Sequence, residues 1–474
     1  MSTAPAFGIE SIELFERDVR LRMPFRFGVV TLRAAPQAFV RARIRTADGR
    51  TAQGMAAELM APKWFDKNTA LSNDDNFEQL RQALRIASGL YLDGRSRTAF
   101  GHFAQHYQAQ IDAAATQGLN SLVACYGPAL IDRALLDALC RALGQPFHEV
   151  VRANRIGLQA TALTPDLHGF DLGAFLAGLR PPARIAARHT VGLVDPITAD
   201  DPHEAVGDCL PETLDQVVAT YGNRWFKLKV AGDVDADVAR LQRIAGVLDG
   251  LPGGYRSTLD GNEQYDSVDG VLQLWQRMQA EPRLRRLCDS VVFFEQPIRR
   301  SAALAQDVHA LSAHKAVIID ESDDSLDAFV RGRERGYRGV SSKTCKGLYK
   351  SMLNAARCAQ WNAQAGGAPF LMSAEDLTIQ AGLALQQDLA LVSLLGIGHV
   401  ERNGHHYVNG MAALPVAEQQ AFLAAHGDLY EHSHGAVRVR IRDGELAIGS
   451  LHQVPGFASG AAPDWQAMRA LGAA

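Results

Sequence analysis

Trp225-Phe226-Lys227-Leu228-Lys229-Val230 is a short apolar run, typical of a β-strand, that carries two lysines two positions apart. Side chains two positions apart on a strand share one face. A strand of a parallel barrel is buried on both faces, and lysine is rarely buried without a partner or a purpose. The run therefore predicts two ammonium groups in the mouth of a barrel. The alternative is an edge strand with two solvated lysines.

Eight short apolar runs follow one another in the middle of the chain, and helix-length segments separate most of them. Alternation of apolar strands with helices favours a parallel sheet, and eight such units fit a (β/α)8 barrel. The active site of such a barrel lies at the carboxyl ends of the strands, so polar residues are expected there. The runs span residues 185–191, 225–230, 257–260, 291–295, 317–320, 339–342, 369–373 and 395–400.

Three of these runs end in a carboxylate: Asp260, Glu295 and Asp320. One such residue alone would more often cap a helix than bind a ligand. Three carboxylates on adjacent strands, however, repel one another unless a cation lies between them. Hard oxygen ligands without paired histidine or cysteine favour Mg²⁺, with Mn²⁺ as a possible substitute.

The sixth run brings a further lysine, Lys343, in Ser341-Ser342-Lys343-Thr344-Cys345-Lys346-Gly347. Strands two and six of an eight-stranded barrel are roughly opposite, so Lys343 is expected across the barrel from Lys229. Two lysines that flank a metal would form a proton-transfer site with two faces. The alternative for Lys343 is a solvated loop lysine.

Both ends of the chain carry a different pattern. Apolar residues alternate with arginines over 40–45 and again over 437–442, followed by Asp48-Gly49 and Asp443-Gly444. This alternation predicts half-buried antiparallel strands that end in tight turns. It favours one small α+β domain to which the C-terminus returns, and two unrelated hairpins are the alternative. Amphipathic helices are predicted over 76–92 and 130–143, the second ending at a glycine.

Five motifs in this order resemble those of the enolase superfamily. Within it they resemble the muconate-lactonizing subgroup of the mandelate racemase/muconate lactonizing enzyme family, whereas the His–Asp pair of the mandelate-racemase type is not found. Residues 23–28 and Pro455-Gly456 look like that family's N-terminal specificity loop and closing turn. The motifs are Lys227-Leu228-Lys229, Asp260-Gly261-Asn262, Glu295-Gln296-Pro297, Asp320-Glu321-Ser322 and Lys343-Thr344-Cys345-Lys346.

The resemblance implies an α/β fold, a modified TIM (β/α)8 barrel with an α+β capping domain formed by the N- and C-terminal segments. We expect the N-terminal part of the capping domain over 1–183 and the barrel over 184–410. Residues 411–474 would return to the capping domain. The stretches 62–127 and 151–183 look expanded relative to the family and could alter the cap.

The resemblance also implies roles for single residues. The three strand-end carboxylates would bind Mg²⁺, and Asn262 would support the metal or a lysine. Lys229 would be a general base, with Lys343 the base or acid on the opposite face. Lys227 would help to neutralise the substrate carboxylate. Glu375, and His399 or Glu401, are candidate substrate contacts, with solvated loop or capping residues as the alternative.

The predicted chemistry is removal of the proton α to a carboxylate, with Mg²⁺ stabilising the enediolate that forms. Proton transfer on both faces of the α carbon would make the protein a racemase or epimerase. A substrate with a leaving group at the β carbon would instead undergo elimination or cycloisomerisation. The alternatives are an acid-sugar dehydratase on the same scaffold and a non-catalytic barrel that serves as an interaction module. The expected partners are a small-molecule carboxylate substrate and further copies of the chain in a homo-oligomer.

Composition excludes other classes of protein. The 474 residues predict two domains, and 47% hydrophobic with 21% charged residues is a globular composition. A formal net charge of -4 without blocks of like charge indicates neither nucleic acid nor a membrane as partner. Residues 1–18 show no signal pattern, and no apolar run reaches the roughly 20 residues of a membrane span. Six scattered cysteines predict reduced thiols in a cytoplasmic protein.

Two histidine pairs could be proposed as zinc ligands, His405-His406 and the pair His432 and His434. Neither pair has the further spaced ligands that a zinc site needs. They are interpreted as surface histidines.

Overall fold

The structure, a computed structural model, describes residues 4–27, 30–364 and 366–471. An antiparallel sheet opens the chain, in the strand order β15-β1-β2-β3. The alternation over 40–45 places its apolar residues in the core, while Arg41 and Arg45 reach Glu13 and Glu10 of the neighbouring strand. These strands are β1 (Phe7–Phe27), β2 (Val30–Thr46), β3 (Thr51–Leu59) and β15 (Arg469–Ala470).

Helices cover one face of this sheet and fill the two stretches that looked expanded. The helix predicted over 130–143 begins earlier than expected, because it continues through Pro128 and ends at left-handed Gly144. Gly54 lets this helix approach β3, since a Cβ there would lie 2.1 Å from the Ala134 carbonyl oxygen. The helices are α1 (Asn73–Tyr91), α2 (Ala99–Thr116), α3 (Ser121–Leu143), α4 (Phe147–Arg152) and α5 (Leu172–Gly178).

Eight parallel strands then form the predicted barrel, bonded in the order β10-β9-β8-β7-β6-β5-β4-β11. The first and last strands of that order, β10 and β11, lie side by side and close the barrel. The strands are β4 (Arg184–Val191), β5 (Trp225–Lys229), β6 (Arg256–Asp260), β7 (Val291–Glu295), β8 (Ala316–Ile319), β9 (Gly339–Ser342), β10 (Leu371–Ala374) and β11 (His399–Arg402).

Helices alternate with these strands and pack an apolar layer against the outside of the barrel. No helix of the described residues is long and apolar enough to cross a membrane. The helices are α6 (Leu214–Tyr221), α7 (Val234–Leu248), α8 (Val268–Ala280), α9 (Arg285–Ser290), α10 (Arg300–Ala303), α11 (His309–Ser312), α12 (Ala328–Glu334), α13 (Leu348–Gln364), α14 (Leu383–Leu394), α15 (Gly404–Tyr407) and α16 (Val416–Ala425).

The end of the chain differs from the expectation in one respect. The alternating stretch near its end forms β13 (Ala436–Val439), which pairs with β12 (Tyr430–Ser433) and not with the N-terminal sheet. The strand β14 (Glu445–Ala447) adds antiparallel to β4 of the barrel. The chain returns to the N-terminal sheet only at β15, which pairs with β1. An alternating pattern shows that one face is buried but does not identify the pairing partner.

Candidate active site

The site is built at the carboxyl ends of the barrel strands, where the sequence motifs predicted it. Lys229, Asp260 and Glu295 are the last residues of three neighbouring strands, and the strand register aligns them in one row. Asp320 and Lys343 directly follow the next two strands. All five side chains are buried. The fold therefore brings together the predicted metal ligands and both predicted proton-transfer lysines.

The ammonium of Lys227 lies among four carboxylates. Its Nζ donates to Glu295 Oε1 and Glu375 Oε2 at 2.8 Å and to Glu401 Oε2 at 3.0 Å, and Asp260 Oδ2 lies 2.9 Å away. These carboxylates raise the pKa of Lys227 well above its ordinary value, although burial alone would lower it. Lys227 thus links strand ends around the barrel. It was predicted to neutralise the substrate carboxylate, and here its hydrogens bond protein carboxylates.

The ammonium of Lys229 has polar partners on the neighbouring strand. It donates to Asp260 Oδ2 and to Asn262 Oδ1, both at 2.5 Å. Asn262 adopts a positive φ of 41°, directly after the strand end, which turns its amide back toward the lysine. The predicted supporting role of Asn262 therefore has a contact that could perform it.

Lys343 has a different environment on the opposite strand. Its Nζ donates to Asp320 Oδ2 at 2.6 Å and lies 4.3 Å from the centre of the Trp64 ring. Burial acts to lower the pKa of Lys343, but the charge of Asp320 outweighs it and the pKa is raised. The other oxygen, Asp320 Oδ1, is held by Ser341 and lies 3.4 Å from Lys346 Nζ. Asp320 is thus fixed from both sides.

A cavity of about 20 Å³ lies between the two lysines. Lys229 and Lys343 both line it, together with residues of the N-terminal region that include Trp64. This volume has room for roughly one water molecule. A larger substrate therefore requires the lining side chains to move.

The three candidate contacts near the seventh and eighth strands have different positions. Glu375 is buried outside the cavity lining and bonds Arg188, Lys227 and Ser373. His399 stacks on Trp225 with ring centres 3.9 Å apart, at the amino end of its strand. Glu401 lines the cavity. The geometry thus favours Glu401 over the other two as a residue near a bound substrate.

The carboxyl groups that would bind a metal have pKa values shifted in opposite directions. Lysine charges outweigh burial at Asp260 and Asp320 and lower the pKa of both. Burial, followed by the charges of Asp260 and Glu375, raises the pKa of Glu295 well above its ordinary value. The buried Glu295 Oε2 has no hydrogen-bond partner among the described residues. An added cation at this position would relieve both features.

The donor chemistry of Asp260, Glu295 and Asp320 fits Mg²⁺, because all three offer hard carboxylate oxygens. As the side chains stand, no three or more metal-binding residues in the described ranges are arranged as a ready cage. Lysine ammonium groups bond several of the oxygens that would bind a metal. Metal binding therefore requires some of these ammonium–carboxylate bonds to be exchanged for metal–oxygen bonds.

Sequence reasoning missed several residues that hold this site together. Arg188 of β4 bonds Glu375 at the base of the site, and Lys346 bonds Asp320 and Asp323. The spacing of Lys346, three residues after Lys343, was visible as a second lysine in one motif. No local signal marks Arg188 or the cap residue Trp64, since their partners are remote in the sequence.

The histidine prediction was partly wrong. His432 and His434 are exposed, as expected, whereas His406 is buried and His405 half-buried, with both rings packed beside His189. Burial, followed by the charge of His189, lowers the pKa of both His405 and His406 well below the ordinary value. The pair packs as neutral rings instead of facing solvent.

Solved structures share this fold. A mandelate racemase/muconate lactonizing protein from Herpetosiphon aurantiacus matches with a TM-score of 0.58 at 17% identity, covering 95% of this chain and 98% of that one. Muconate lactonizing enzyme from Pseudomonas fluorescens, complexed with muconolactone, matches with a TM-score of 0.55 at 19% identity, covering 97% of this chain and 98% of that one. A dipeptide epimerase from Methylococcus capsulatus, complexed with Mg and the dipeptide L-Arg-D-Lys, matches with a TM-score of 0.54 at 19% identity, covering 93% of this chain and 99% of that one.

These matches span nearly the whole chain and confirm the predicted fold, a (β/α)8 barrel with an α+β capping domain. No family model matches the sequence. No curated protein sequence matches it either. At these identities the likeness extends to the fold, and the chemistry has to be argued from the side chains.

Proposed function

We propose that this chain is a Mg²⁺-dependent enzyme that removes the proton α to a substrate carboxylate and acts as a racemase, epimerase or cycloisomerase. One observation carries the proposal. Lys229 and Lys343 are both buried, enter one cavity from opposite sides of the barrel, and each bonds a different carboxylate. Two buried lysines that line one cavity from opposite sides are strong candidates for proton transfer.

Asp260, Glu295 and Asp320 would hold Mg²⁺ by their carboxylate oxygens. When bound there, the ion supplies charge stabilisation for the enediolate oxygens. The dipeptide epimerase with the same fold was solved with Mg, which supports this choice of metal.

The lysines would divide the proton transfers by face. Lys229, bonded to Asp260 and Asn262, would accept the α-proton on one face of the substrate. Lys343 carries a raised pKa beside Asp320, which favours its ammonium form as a proton donor on the other face. Delivery of that proton to the α carbon would invert the centre. In a substrate with a leaving group at the β carbon, the enediolate would instead expel that group as its bond to the β carbon breaks, and Lys343 would protonate the departing group, which gives elimination or cycloisomerisation.

The remaining groups would orient these lysines and keep water out. Lys227 bonds the ends of four strands and so fixes the positions of the carboxylates. The Trp64 ring covers Lys343 from the cap. An indole in this position would limit the access of solvent protons to a carbanionic intermediate.

The test is deuterium exchange. The protein would be incubated with Mg²⁺ in D₂O against a panel of carboxylic acids, and mass spectrometry would read α-deuteration and loss of water. Lys229→Ala and Lys343→Ala are each expected to lower exchange by about 10²- to 10⁴-fold, the usual contribution of general acid–base groups. Lys315→Ala, at the amino end of β8, is the matched control and should leave exchange unchanged.

The outcomes separate the reaction types. If each lysine variant loses exchange from one stereoisomer only, the enzyme is a racemase or epimerase. Loss of water indicates a dehydratase instead. Absence of exchange with every acid, together with no Mg²⁺ binding by calorimetry, would refute the proposal.

A further inference from the structure

The cavity that joins the two lysines has an apolar wall. Phe25, Leu32, Ala61 and Trp64 line it from the N-terminal region, and Leu377 lines it from the loop after β10. All five are buried hydrophobic residues. The part of a substrate that lies beyond its carboxylate therefore meets hydrocarbon and aromatic surface.

The carboxylates on the cavity lining are already occupied. The oxygens of Asp376 accept the backbone N–H groups of Ile379 and Asn403, both at 2.7 Å. These bonds tie two loops together. Asp376 therefore has a structural role. Without these bonds, a carboxylate at this position could bind an ammonium group of the substrate.

Glu401 is occupied in the same way. Its Oε1 accepts from Thr190 Oγ1 at 2.6 Å and from Asn403 Nδ2 at 3.0 Å. Its Oε2 accepts from Lys227 Nζ at 3.0 Å and from the Asp376 N–H at 2.9 Å. Each oxygen thus has two donors, so neither oxygen is available to a ligand without breaking a buried bond.

Two neutral polar atoms of lining residues have no partner among the described residues, Asn403 Oδ1 and Trp64 Nε1. Since the amide nitrogen of Asn403 must face the acceptor Glu401, the Asn403 atom is assigned as oxygen. It can accept a hydrogen bond, and the indole N–H can donate one. A ligand with many hydroxyl groups would leave most of them unpaired, which is unfavourable in a buried site.

Trp64 is fixed in place by the barrel. Arg300 donates to the carbonyl oxygens of Trp64 at 2.8 Å and Phe65 at 3.1 Å, and it pairs with Glu263 through two bonds of 2.9 and 2.8 Å. The indole also lies over the ammonium of Lys343. The backbone of Trp64 is thus anchored to the barrel, and its indole lies beside a proton-transfer group.

We propose that the substrate is a carboxylic acid with an apolar body and without an ammonium group, and that Trp64 is a specificity-determining residue that selects the apolar body. This inference rests on the proposed function, because it takes the lysine pair as the site of reaction. An ammonium placed in this cavity would be buried without a free carboxylate partner, which is strongly unfavourable. An aryl or branched alkyl group would instead replace water against the indole.

The test uses three acids with Mg²⁺ present: 2-methyl-3-phenylpropanoate, phenylalanine, which has an ammonium in place of the methyl group, and gluconate. Calorimetry would give the dissociation constants. We expect 2-methyl-3-phenylpropanoate to bind at least about 10-fold more tightly than the other two. Equal or tighter binding of phenylalanine or gluconate would overturn the inference.

The variants assign the selection to Trp64. Trp64→Ala should weaken binding of 2-methyl-3-phenylpropanoate by about 10-fold or more, because an aromatic wall is removed. Phe65→Ala is the matched control, since Phe65 is a buried neighbour that does not line the cavity. Equal losses in the two variants would contradict a specific role for Trp64. Trp64→Phe, which keeps an aromatic ring, serves if the alanine variant does not fold and should give a smaller loss.

Binding and proton exchange separate this inference from the proposed function. Exchange of the α-proton of phenylalanine or gluconate would support the function and overturn the substrate class. Trp64-dependent binding of 2-methyl-3-phenylpropanoate, with no exchange of any acid, would support the substrate class and refute the function.

Discussion

The two lysines that meet in the cavity have unlike surroundings. The Lys229 side consists of Lys229 with Asp260 and Asn262, where the ammonium bonds two oxygens at 2.5 Å. The Lys343 side consists of Lys343 with Asp320 and Trp64, where the ammonium bonds one carboxylate and lies under an indole ring. Polar partners surround the first lysine, and the second is enclosed by an aromatic cap residue.

The difference indicates a division of labour. An aromatic face and a single carboxylate both favour the charged form of Lys343. The side chains bonded to Lys229 come from the barrel, although Lys67 of the N-terminal region also donates to the Asn262 carbonyl oxygen at 2.8 Å. On the Lys343 side a residue of the N-terminal region contacts the lysine directly. The cap therefore acts on Lys229 through Asn262 and on Lys343 by contact.

The largest expected effect compares the two carboxylates. Asp320→Asn leaves Lys343 without its only bonded carboxylate in the described part of the chain, so we expect a loss of about 3–5 kcal/mol of unfolding free energy. Asp260→Asn also removes the only carboxylate bonded to Lys229 in the described part of the chain, but that ammonium keeps the Asn262 oxygen and Lys227 keeps three other carboxylates, so a smaller loss of about 1–2 kcal/mol is expected. Urea denaturation in EDTA measures both. An equal or larger loss for Asp260→Asn would refute the contrast between the sides.

A histidine of the barrel wall should make the fold acid-sensitive. His189 lies on β4, where it pairs with Phe226 of β5, and burial lowers its pKa from the ordinary 6.5 to about 3. The unfolded chain therefore binds a proton below pH 6.5 that the folded chain rejects, so stability falls as pH decreases toward 3. Between pH 6.5 and 5 the loss is about 2 kcal/mol, which His189→Phe should remove. Chemical denaturation across this range would detect it, and an unchanged slope in the variant would contradict the assignment.

Glu58, which bonds the residue after Lys343, should give the opposite trend. Glu58 of β3 accepts from Thr344 Oγ1 at 3.0 Å, and its pKa is raised from 4.5 to about 7, chiefly by burial. The folded state therefore holds a proton that the unfolded state releases above pH 4.5. Stability from this group is complete below pH 4.5 and lost as pH rises through 7, by about 1.4 kcal/mol between pH 5 and 6.

Glu58→Gln tests this trend, because glutamine keeps the shape of the protonated acid and cannot ionise. The variant should lose this part of the pH dependence and gain relative stability above pH 7. Comparison with His189→Phe over the same pH range separates the two opposite slopes. If both variants change the dependence of stability on pH in the same direction, the opposite trends assigned to His189 and Glu58 are wrong.

The smallest expected effect concerns the indole alone. Trp64→Leu keeps an apolar side chain but removes a cation–π contact worth about 1 kcal/mol, so exchange on the Lys343 face should fall about 5-fold. With the acid at saturating concentration, where weaker binding does not affect the rate, exchange on the Lys229 face should stay unchanged. Exchange rates from the two stereoisomers of one acid in D₂O give both values, with the faces assigned by the two lysine-to-alanine variants. An equal fall on both faces would indicate general loosening of the cap.

Much of the barrel could be predicted from the sequence, because strand periodicity and the position of polar residues at strand ends are local features. The run at 225–230 became β5, and the runs at 291–295 and 339–342 have the predicted bounds. The α3 start was missed because a proline inside a helix is rare and Gly127-Pro128 reads as a break. The pairing of β13 was missed because alternation carries no information about the partner.

The sequence by itself determined which residues stand at the strand ends, since side-chain direction on a strand follows from its period of two. Only the tertiary structure decided what each of them touches. Lys227 reaches Glu401, Trp64 covers Lys343, and Glu375 turns to Arg188. These partners are separated by more than 100 residues along the chain, and no local pattern encodes contacts that arise when the barrel closes and the N-terminal region packs onto it.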